Sequence, residues 1–493
     1  MEIINSLFGG FQMVWNPSAL LWIAVGGIMG TLVGALPGLG PSTGVAVLLP
    51  LCFALPADQG ISLLISVYLG CMYGGRISSI LINTPGDAPA IMTCVDGYPL
   101  MMKGRGGVAM GISALTSFFG GFVGIIFMTF FTPILADAAM AFGPPEMFFV
   151  MVFALIAVGM VTETKSIKGL VMILFGLVLA CVGSEYLTGK SRLTFGSPYM
   201  LDGIGFVPVA IGLFGFTEVL SGMELPLKDR ILKFSIKMKN LFPSLSEVLS
   251  VSKVTVLSTI IGLFIGLLPG AGTTLASFAA YGAAKRVSNN KEEFGSGALE
   301  GVAAPEAANN ACVPGALTPM MALGIPGSAV TAMIMGGFIV HDLQPGPMMF
   351  IKSADIAWAI MAALYVSNII LLFINLMMVP VFISIIRWAQ PVLYPTVAVL
   401  CVIGVYSINL SMFDVIVMFI FGIIGFLFKK GMYPVAGLLL ALILGPTIES
   451  NFRQAMIISR GSYAIFIASP ISIGFLVATL LCLVFPFIKF KKR

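Results

Sequence analysis

Long apolar runs alternate with short polar stretches along almost the whole chain. Many of these runs are about 20 residues long, which is the length that an α-helix needs to cross a bilayer. Apolar residues surround these helices on all sides, so the pattern is typical of membrane spans rather than of surface helices. The pattern therefore predicts an all-α polytopic membrane protein with about 10–12 membrane segments.

Some of the runs are interrupted by Pro-Gly, and the interruptions occur twice in the same order. The letters GTLVGALPGLGPST at 30–43 align with GLFIGLLPGAGTTL at 262–275. A second break, INTPGDA at 82–88, has its counterpart in GIPGSA at 324–329. Paired, interrupted hydrophobic segments in two halves of a chain indicate the binding site of a secondary transporter.

The apolar sequence on either side of each LPG is too short to form two spans. We therefore expect a re-entrant hairpin in each half, followed by a broken helix, with the bare backbone groups lining protein or a water-filled cavity. The alternative is one ordinary helix with a kink, since Gly and Pro are common in membrane helices. The predicted organisation is a first membrane repeat at 1–227, a basic linker at 228–253 and a second membrane repeat at 254–493.

Composition supports this class and excludes others. Hydrophobic residues make up 58% of the chain and charged residues only 10%, and the mean hydropathy is +1.05. The net charge of +5 does not indicate nucleic acid, because basic loops orient membrane spans. Seven scattered cysteines without a CxxC motif predict neither a disulfide framework nor a metal centre. A single histidine and the lack of an HExxH motif argue against an intramembrane enzyme.

The basic residues also predict how the two repeats are related. Lys103 and Arg105 follow the first broken helix, whereas in the second half Lys285 and Arg286 follow the hairpin. By the positive-inside rule the first hairpin opens to the outside and the second opens to the cytoplasm. The same rule places the basic linker in the cytoplasm. This is an inverted-topology arrangement, in which the breaks meet near the midplane of the membrane.

Several motifs in order resemble one known family. They are LPGLGPST and LPGAGTT, YGGRISSILINTPGD followed by DGYPL, TGKSRLTFG with LDGI, ALGIPGS and HDLQPGP. Together they resemble the large membrane subunit of the tripartite tricarboxylate transporters (TctA-type). The chain departs from the pattern at Asp342 and at Ser184-Glu185, where glycine and aspartate are expected.

The resemblance implies a cation-coupled importer of a di- or tricarboxylate in the bacterial inner membrane. It further implies a small membrane subunit and a periplasmic solute-binding protein as partners, besides the lipid bilayer. The sequence leaves open which carboxylate is carried, whether Na⁺ or H⁺ is the coupling ion, and the oligomeric state, and no cofactor is expected. A carboxylate or ion channel that uses the same hairpins as a filter is the alternative function.

Helix ends and unwound backbone at the breaks supply the groups that bind carboxylates and hard cations. The residues predicted to bind substrate are Gly38, Gly40, Ser42, Thr43, Arg76, Asn83, Thr84, Gly270, Gly272, Thr273, Thr274, Gly327 and Ser328. Those predicted to form the cation site, a Na⁺ site if a metal ion is the coupling ion, are Pro37, Pro85, Gly86, Asp87, Pro269, Asn309, Asn310 and Pro326.

Two charged residues carry a specific hypothesis each. Arg76 matches a carboxylate in a bidentate fork, but it is equally compatible with a structural ion pair to Asp87 or Glu306. Asp87 suits a hard cation beside unwound backbone, whereas the alternative is a simple cap of the following half-helix. Valine at Gly38, Gly86, Gly270 or Gly327 is predicted to abolish transport without preventing insertion.

Overall fold

The computed structural model describes residues 2–161, 166–185, 189–224, 242–379, 381–382 and 393–484. These residues are almost entirely helical. In chain order the helices are α1 (Glu2–Val14), α2 (Pro17–Ala35), α3 (Pro41–Phe53), α4 (Ala57–Ile82), α5 (Ile91–Met102), α6 (Gly106–Ala139), α7 (Pro144–Val161), α8 (Ser166–Ala180), α9 (Phe206–Met223), α10 (Leu245–Leu267), α11 (Gly272–Val287), α12 (Leu299–Leu323), α13 (Ala329–Val340), α14 (Met349–Lys352), α15 (Ala354–Met377), α16 (Leu393–Asn409), α17 (Met412–Lys430), α18 (Val435–Ile458) and α19 (Pro470–Val484).

Three 3₁₀ turns and one small sheet complete the described structure. The turns are Pro198–Met200, Lys291–Glu293 and Tyr463–Ile467. The sheet consists of β1 (Gly183–Ser184) and β2 (Ser191–Arg192), which pair antiparallel. Within the described residues, eight helices are long and apolar enough to cross a membrane, and six shorter apolar helices accompany them. The prediction of an all-α polytopic membrane protein is confirmed.

Glycines set the packing of α2 on α4. Gly30 and Gly34 lie directly against the backbone of Val67 and Cys71, so that a Cβ atom at either glycine would overlap a carbonyl oxygen. The residue numbers on α2 and on α4 increase together from one contact to the next, which means that the two helices run in the same direction. Close backbone approach through small residues is the usual way in which membrane helices associate.

The helix between them runs the other way. Gly44, near the start of α3, faces Cys71, whereas Cys52 at its end faces Gly60 near the start of α4. The chain therefore turns back at the LPG sequence and forms a hairpin from α2 and α3. These residues therefore form a hairpin and not the alternative, a single helix with a kink.

The second half repeats this packing. Gly262 and Gly266 of α10 lie against Ala308 and Cys312 of α12, again in parallel. The returning helix α11 is antiparallel to α12, as the contact from Ser277 to the carbonyl of Pro305 and the hydrogen bond between Ser288 and Glu300 require. Each half thus holds a hairpin followed by a long helix.

The region between the halves is only partly described. Ser244 and Glu247 form a capping box that starts α10 at Leu245, inside the range predicted as a linker. Residues 225–241, which include most of the basic segment, lie outside the described residues, as do residues 186–188 of the TGKS stretch.

Candidate functional site

The hairpin tips and the helix breaks meet in the same way in both halves. Leu36 and Leu268 end their helices with the same backbone angles, φ −85° and ψ 119°. Beyond each tip, one backbone N–H points at the break: Gly38 donates to the carbonyl of Gly86 at 3.2 Å, and Gly270 donates to that of Gly327 at 2.8 Å. The repeated Pro-Gly motifs of the sequence are therefore brought together in pairs.

Each long helix ends at the break with a left-handed residue. In the first half this residue is Asn83, at φ 50°, and in the second half it is Gly324, at φ 71°. The chain then folds back beside its own helix, and the N–H of Gly86 reaches the carbonyl of Gly75 at 3.3 Å. Proline in each motif removes a backbone donor, so fewer N–H groups are left without partners in the unwound segment.

The residue after each Pro-Gly accepts a hydrogen bond from the backbone N–H three residues further on. The carboxylate of Asp87 accepts a hydrogen bond from the N–H of Ala90 at 3.1 Å, and the hydroxyl of Ser328 accepts one from Thr331 at 3.2 Å. Ser328 is the N-cap of α13, whereas Asp87 caps only the turn that leads into α5, because Ala90 is the N-cap of α5 and no side chain within the described structure bonds that helix end. The second oxygen of Asp87, Oδ2, is buried and has no hydrogen-bond partner among the residues that the structure describes. That oxygen is available to a cation.

The two breaks differ in how they are covered. Gly38 and Asn83 are exposed, whereas the stretch 324–327 is buried. The segment after α13 covers the second break, where the N–H of Gly346 donates to the carbonyl of Met321 at 3.1 Å. The first break is therefore the more accessible of the two breaks, whereas both tips carry an exposed residue, Gly38 and Leu268.

Arg76 lies on α4, one residue after the glycine that contacts the first break. Its side chain is fully buried. Nη1 donates to the hydroxyl of Ser113 at 3.1 Å, and the guanidinium lies 5.3 Å from the ring centre of Tyr73. Nε and Nη2 have no hydrogen-bond partner within the described part of the chain. These two atoms form one edge of the guanidinium, the edge that binds a carboxylate in a bidentate manner.

A direct ion pair does not occupy this edge. Within the described residues, no carboxylate oxygen of Asp87 or Glu306 lies within the 4.0 Å that defines a salt bridge with Arg76. Arg76 therefore forms no direct ion pair with Asp87 or Glu306, which was the alternative role that the sequence left open for it. Glu306 nevertheless lies close enough to act on Arg76 through its charge.

Glu306 is the centre of a buried polar cluster, and the sequence did not predict Glu306, Thr93 or Ser117 as binding residues. Thr93 donates to its Oε1 at 2.6 Å and Ser117 to its Oε2 at 3.1 Å. Asn309 and Asn310 belong to this cluster rather than to the second break, because Asn310 donates to Asn309 and to the carbonyl of Glu306. An acidic residue within an apolar helix is the sequence signal that could have identified Glu306 as a binding residue.

The remaining predicted residues lie at the tips and breaks with fewer contacts. Thr43 turns away from the break and contacts the carbonyl of Phe214, at 3.4 Å, in a π-helical stretch of α9. Thr84 bonds the carbonyl of Ile82 at 3.2 Å, and Gly40 starts α3 beside Asp87. Pro85 of the first break is half-buried, whereas Pro326 of the second break is buried. The half-buried positions in or next to the tips are Pro37, Ser42, Pro269, Gly272, Thr273 and Thr274.

These features define a polytopic α-helical membrane protein built around two hairpin tips and two helix breaks. The family model of the tripartite tricarboxylate transporter TctA family matches residues 20–440. The chain therefore belongs to the TctA family of tripartite tricarboxylate transporters. It is a multi-pass protein of the bacterial inner membrane, and its family works in systems with other subunits and a carboxylate substrate.

Two relatives from Agrobacterium vitis are similar to this chain. One, described as an uncharacterized 52.8 kDa protein in the TAR-I ttuC' 3'region, is 39% identical over 485 residues, which cover 98% of this chain and 96% of the relative. The other, described as an uncharacterized protein in the TAR-II ttuC' 3'region, is 40% identical over 224 residues, 45% of this chain and 92% of the relative. No solved structure matches the chain.

Proposed function

We propose that this chain is the carrier of a cation-coupled system that imports a di- or tricarboxylate across the inner membrane. The observation that carries the proposal is the paired contact of tip and break, Gly38 with Gly86 and Gly270 with Gly327. Two such contacts in one chain create two places where backbone N–H and carbonyl groups leave the helical ladder. Such places bind anionic substrates and their coupling cations in secondary transporters.

Arg76 supplies the group that recognises the substrate carboxylate. A buried guanidinium with a free Nε and Nη2 edge, within the described structure, favours an anion with two coplanar oxygens. The exposed first tip beside it provides the approach. Because the guanidinium itself is fully buried, the substrate reaches it only when the tip moves away from the break.

We further propose that the repeats are inverted, and the directions of the helices support this. Gly120 of α6 lies against Ala307 of α12, and Gly124 lies against Ala311, so that α6 and α12 run in parallel. The direction of α4 relative to α6 then decides whether the two long helices of the repeats are inverted.

Contacts between α4 and α6 favour opposite directions. Arg76 bonds Ser113, whereas Tyr73, earlier on α4, connects through Asn368 to the carbonyl of Phe118, later on α6. Helix α4 is therefore antiparallel to its counterpart α12, as an inverted repeat requires. Reporter fusions after Arg105 and after Asp342 should report opposite sides of the membrane, and a common side would contradict the inversion.

Asp87 is proposed to hold a coupling cation as well as to cap the turn that leads into α5. Asp87→Asn keeps an oxygen for the N–H of Ala90 but removes the charge. We expect the cation concentration for half-maximal uptake to rise about tenfold or more, which corresponds to a loss of about 1.4 kcal/mol of binding free energy. The measurement is initial uptake against cation concentration in vesicles that contain the full transport system.

The matched control is Ser328→Asn, at the equivalent cap of the second half. It exchanges one neutral cap for another, so the cation dependence should stay close to that of the wild type. If Asp87→Asn and Ser328→Asn show the same cation dependence as the wild type, Asp87 is only a cap.

Delivery by a soluble receptor gives the test of the proposed function as a whole. Labelled di- and tricarboxylates are offered to proteoliposomes that contain the two membrane subunits, with and without the binding protein. We expect saturable uptake of one carboxylate class only when the binding protein is added. Full-rate uptake by this chain alone would contradict the proposed mode of delivery, and no uptake of any carboxylate by the full system would contradict the function.

A further inference from the structure

A second group of oxygen atoms lies around Glu306, apart from the tips and the breaks. The Glu306 side chain is fully buried, and hydroxyl groups from two other helices, Thr93 on α5 and Ser117 on α6, donate to its oxygens. The Asn309 side chain also interacts with this carboxyl group. The cluster therefore joins α5 and α6 of the first half to α12 of the second.

Asn310 supplies the evidence for a missing positive charge. Its amide nitrogen donates to the carbonyl of Glu306 at 3.0 Å and to Asn309, which fixes the orientation of the amide. Its Oδ1 is then left fully buried without a hydrogen-bond donor within the described residues. Buried acceptors are nearly always satisfied, and a free acceptor on the helix of Glu306, one turn further on, is suited to a cation rather than to an anion.

We propose that Glu306, together with the side-chain oxygens of Thr93, Ser117, Asn309 and Asn310, binds a Na⁺ ion that is distinct from the cation at Asp87. One carboxylate with neutral hydroxyl and amide oxygens suits a monovalent ion. Among the described residues no three acidic, histidine or cysteine side chains come together as a metal-binding group, so the proposed site depends on neutral oxygens. The inference rests on the proposed function and adds a second coupling ion to it.

Charge balance gives an independent reason for more than one cation. Among the described residues Arg76 is the one buried basic side chain, and the charge of the buried Glu306 acts both on Arg76 and on the buried Asp87. A substrate with two or three negative charges would leave this buried region strongly negative. Uncompensated charges are costly to bury, so cations must enter together with the substrate.

The placement of Glu306 also explains how the ion and the substrate are coupled. Ser113 bonds Arg76 and Ser117 bonds Glu306, and these two serines are one helical turn apart on α6, about 5–6 Å between their Cβ atoms. Na⁺ at Glu306 neutralises the acid that otherwise partly compensates Arg76, and the guanidinium then attracts the substrate carboxylate more strongly. The coupling is reciprocal, because substrate at Arg76 strengthens Na⁺ binding by the same factor.

The test uses the purified membrane complex at one fixed pH. The midpoint of thermal unfolding is recorded against Na⁺ concentration, with choline keeping the ionic strength constant, and carboxylate uptake is measured over the same range. Glu306→Gln should raise the Na⁺ concentration for the half-maximal midpoint shift at least tenfold. Glu306→Asp keeps the charge and should retain a Na⁺ response, although at a higher concentration.

Glu300→Gln is the matched control, because it removes an acid from the same helix at a site bonded to Ser288 and outside the cluster. It should keep the Na⁺ response of the wild type. If Glu306→Gln fails to fold, Ser117→Ala serves instead and should raise the required Na⁺ concentration severalfold.

Two results would overturn the site. One is a Glu306→Gln complex with the Na⁺ response of the wild type, and the other is a wild-type complex whose midpoint does not respond to Na⁺. In both cases, carboxylate uptake that still depends on the binding protein would leave the proposed function standing. Loss of all carboxylate uptake by the wild-type system would contradict the function itself.

Discussion

Gly86→Ala should lower carboxylate uptake by at least tenfold, whereas Gly327→Ala, at the equivalent position of the second half, should leave most of it. A Cβ atom at Gly86 would overlap the carbonyl oxygen of Gly34 and come within 2.7 Å of the Cα of Gly75. Both neighbours are backbone atoms of packed helices, so neither can move without displacing α2 from α4. A Cβ atom at Gly327 would lie 3.1–3.2 Å from Ala316, which requires only a small adjustment.

Overpacking of a tight contact costs about 1–3 kcal/mol. At Gly86 this cost falls on the contact between tip and break, so we expect uptake to fall by at least tenfold while the protein still inserts. Initial uptake and the amount of protein in the membrane fraction are measured together. Equal uptake by the two alanine variants would show that the tight contact at the first break is not needed for transport.

Arg76→Lys is the second substitution with a large expected effect. Lysine keeps the positive charge near Glu306 but cannot offer the parallel Nε and Nη2 donors. A hydrogen bond to a charged group contributes about 1.5–3 kcal/mol, so the loss of one should raise the KM for uptake about 10- to 100-fold. The measurement is the KM and the maximal rate of uptake in the reconstituted system.

The lysine variant separates two roles of Arg76. If the residue served only to balance the charge of Glu306, lysine would replace it and the KM would stay close to the wild-type value. Arg76→Gln is the complementary variant. It removes the charge and should destabilise the protein as well, because the buried Glu306 loses the positive charge of the guanidinium that acts on it.

The repeated Pro-Gly motifs made the fold predictable to a large extent. Because Pro37 and Pro269 stand in matching surroundings, the sequence alone predicted two hairpins and two broken helices, and the matching angles at Leu36 and Leu268 agree with that expectation. Pro and Gly act on the local backbone, so their effect can be read without knowledge of tertiary contacts.

The cluster around Glu306 could not be predicted in the same way. Thr93, Ser117 and Glu306 lie on three helices that are far apart in the sequence, and only their packing brings the two hydroxyls to one carboxylate. Asn309 and Asn310 were predicted for the cation site by residue type alone, and only the structure shows that they lie with Glu306. The contact of Thr43 with α9 likewise could not be predicted from the sequence, because it joins residues 171 positions apart.

Coupling between carboxylate and cation flux is the central claim, and one measurement tests it most directly. Proteoliposomes with the membrane complex and its binding protein are loaded so that the inward cation gradient can be imposed, removed or reversed. A coupled carrier accumulates the labelled carboxylate above its outside concentration only with the inward gradient, and its uptake saturates. A carboxylate conductance that follows its own gradient, with no accumulation and no dependence on the cation gradient, would contradict this claim and would identify a channel instead.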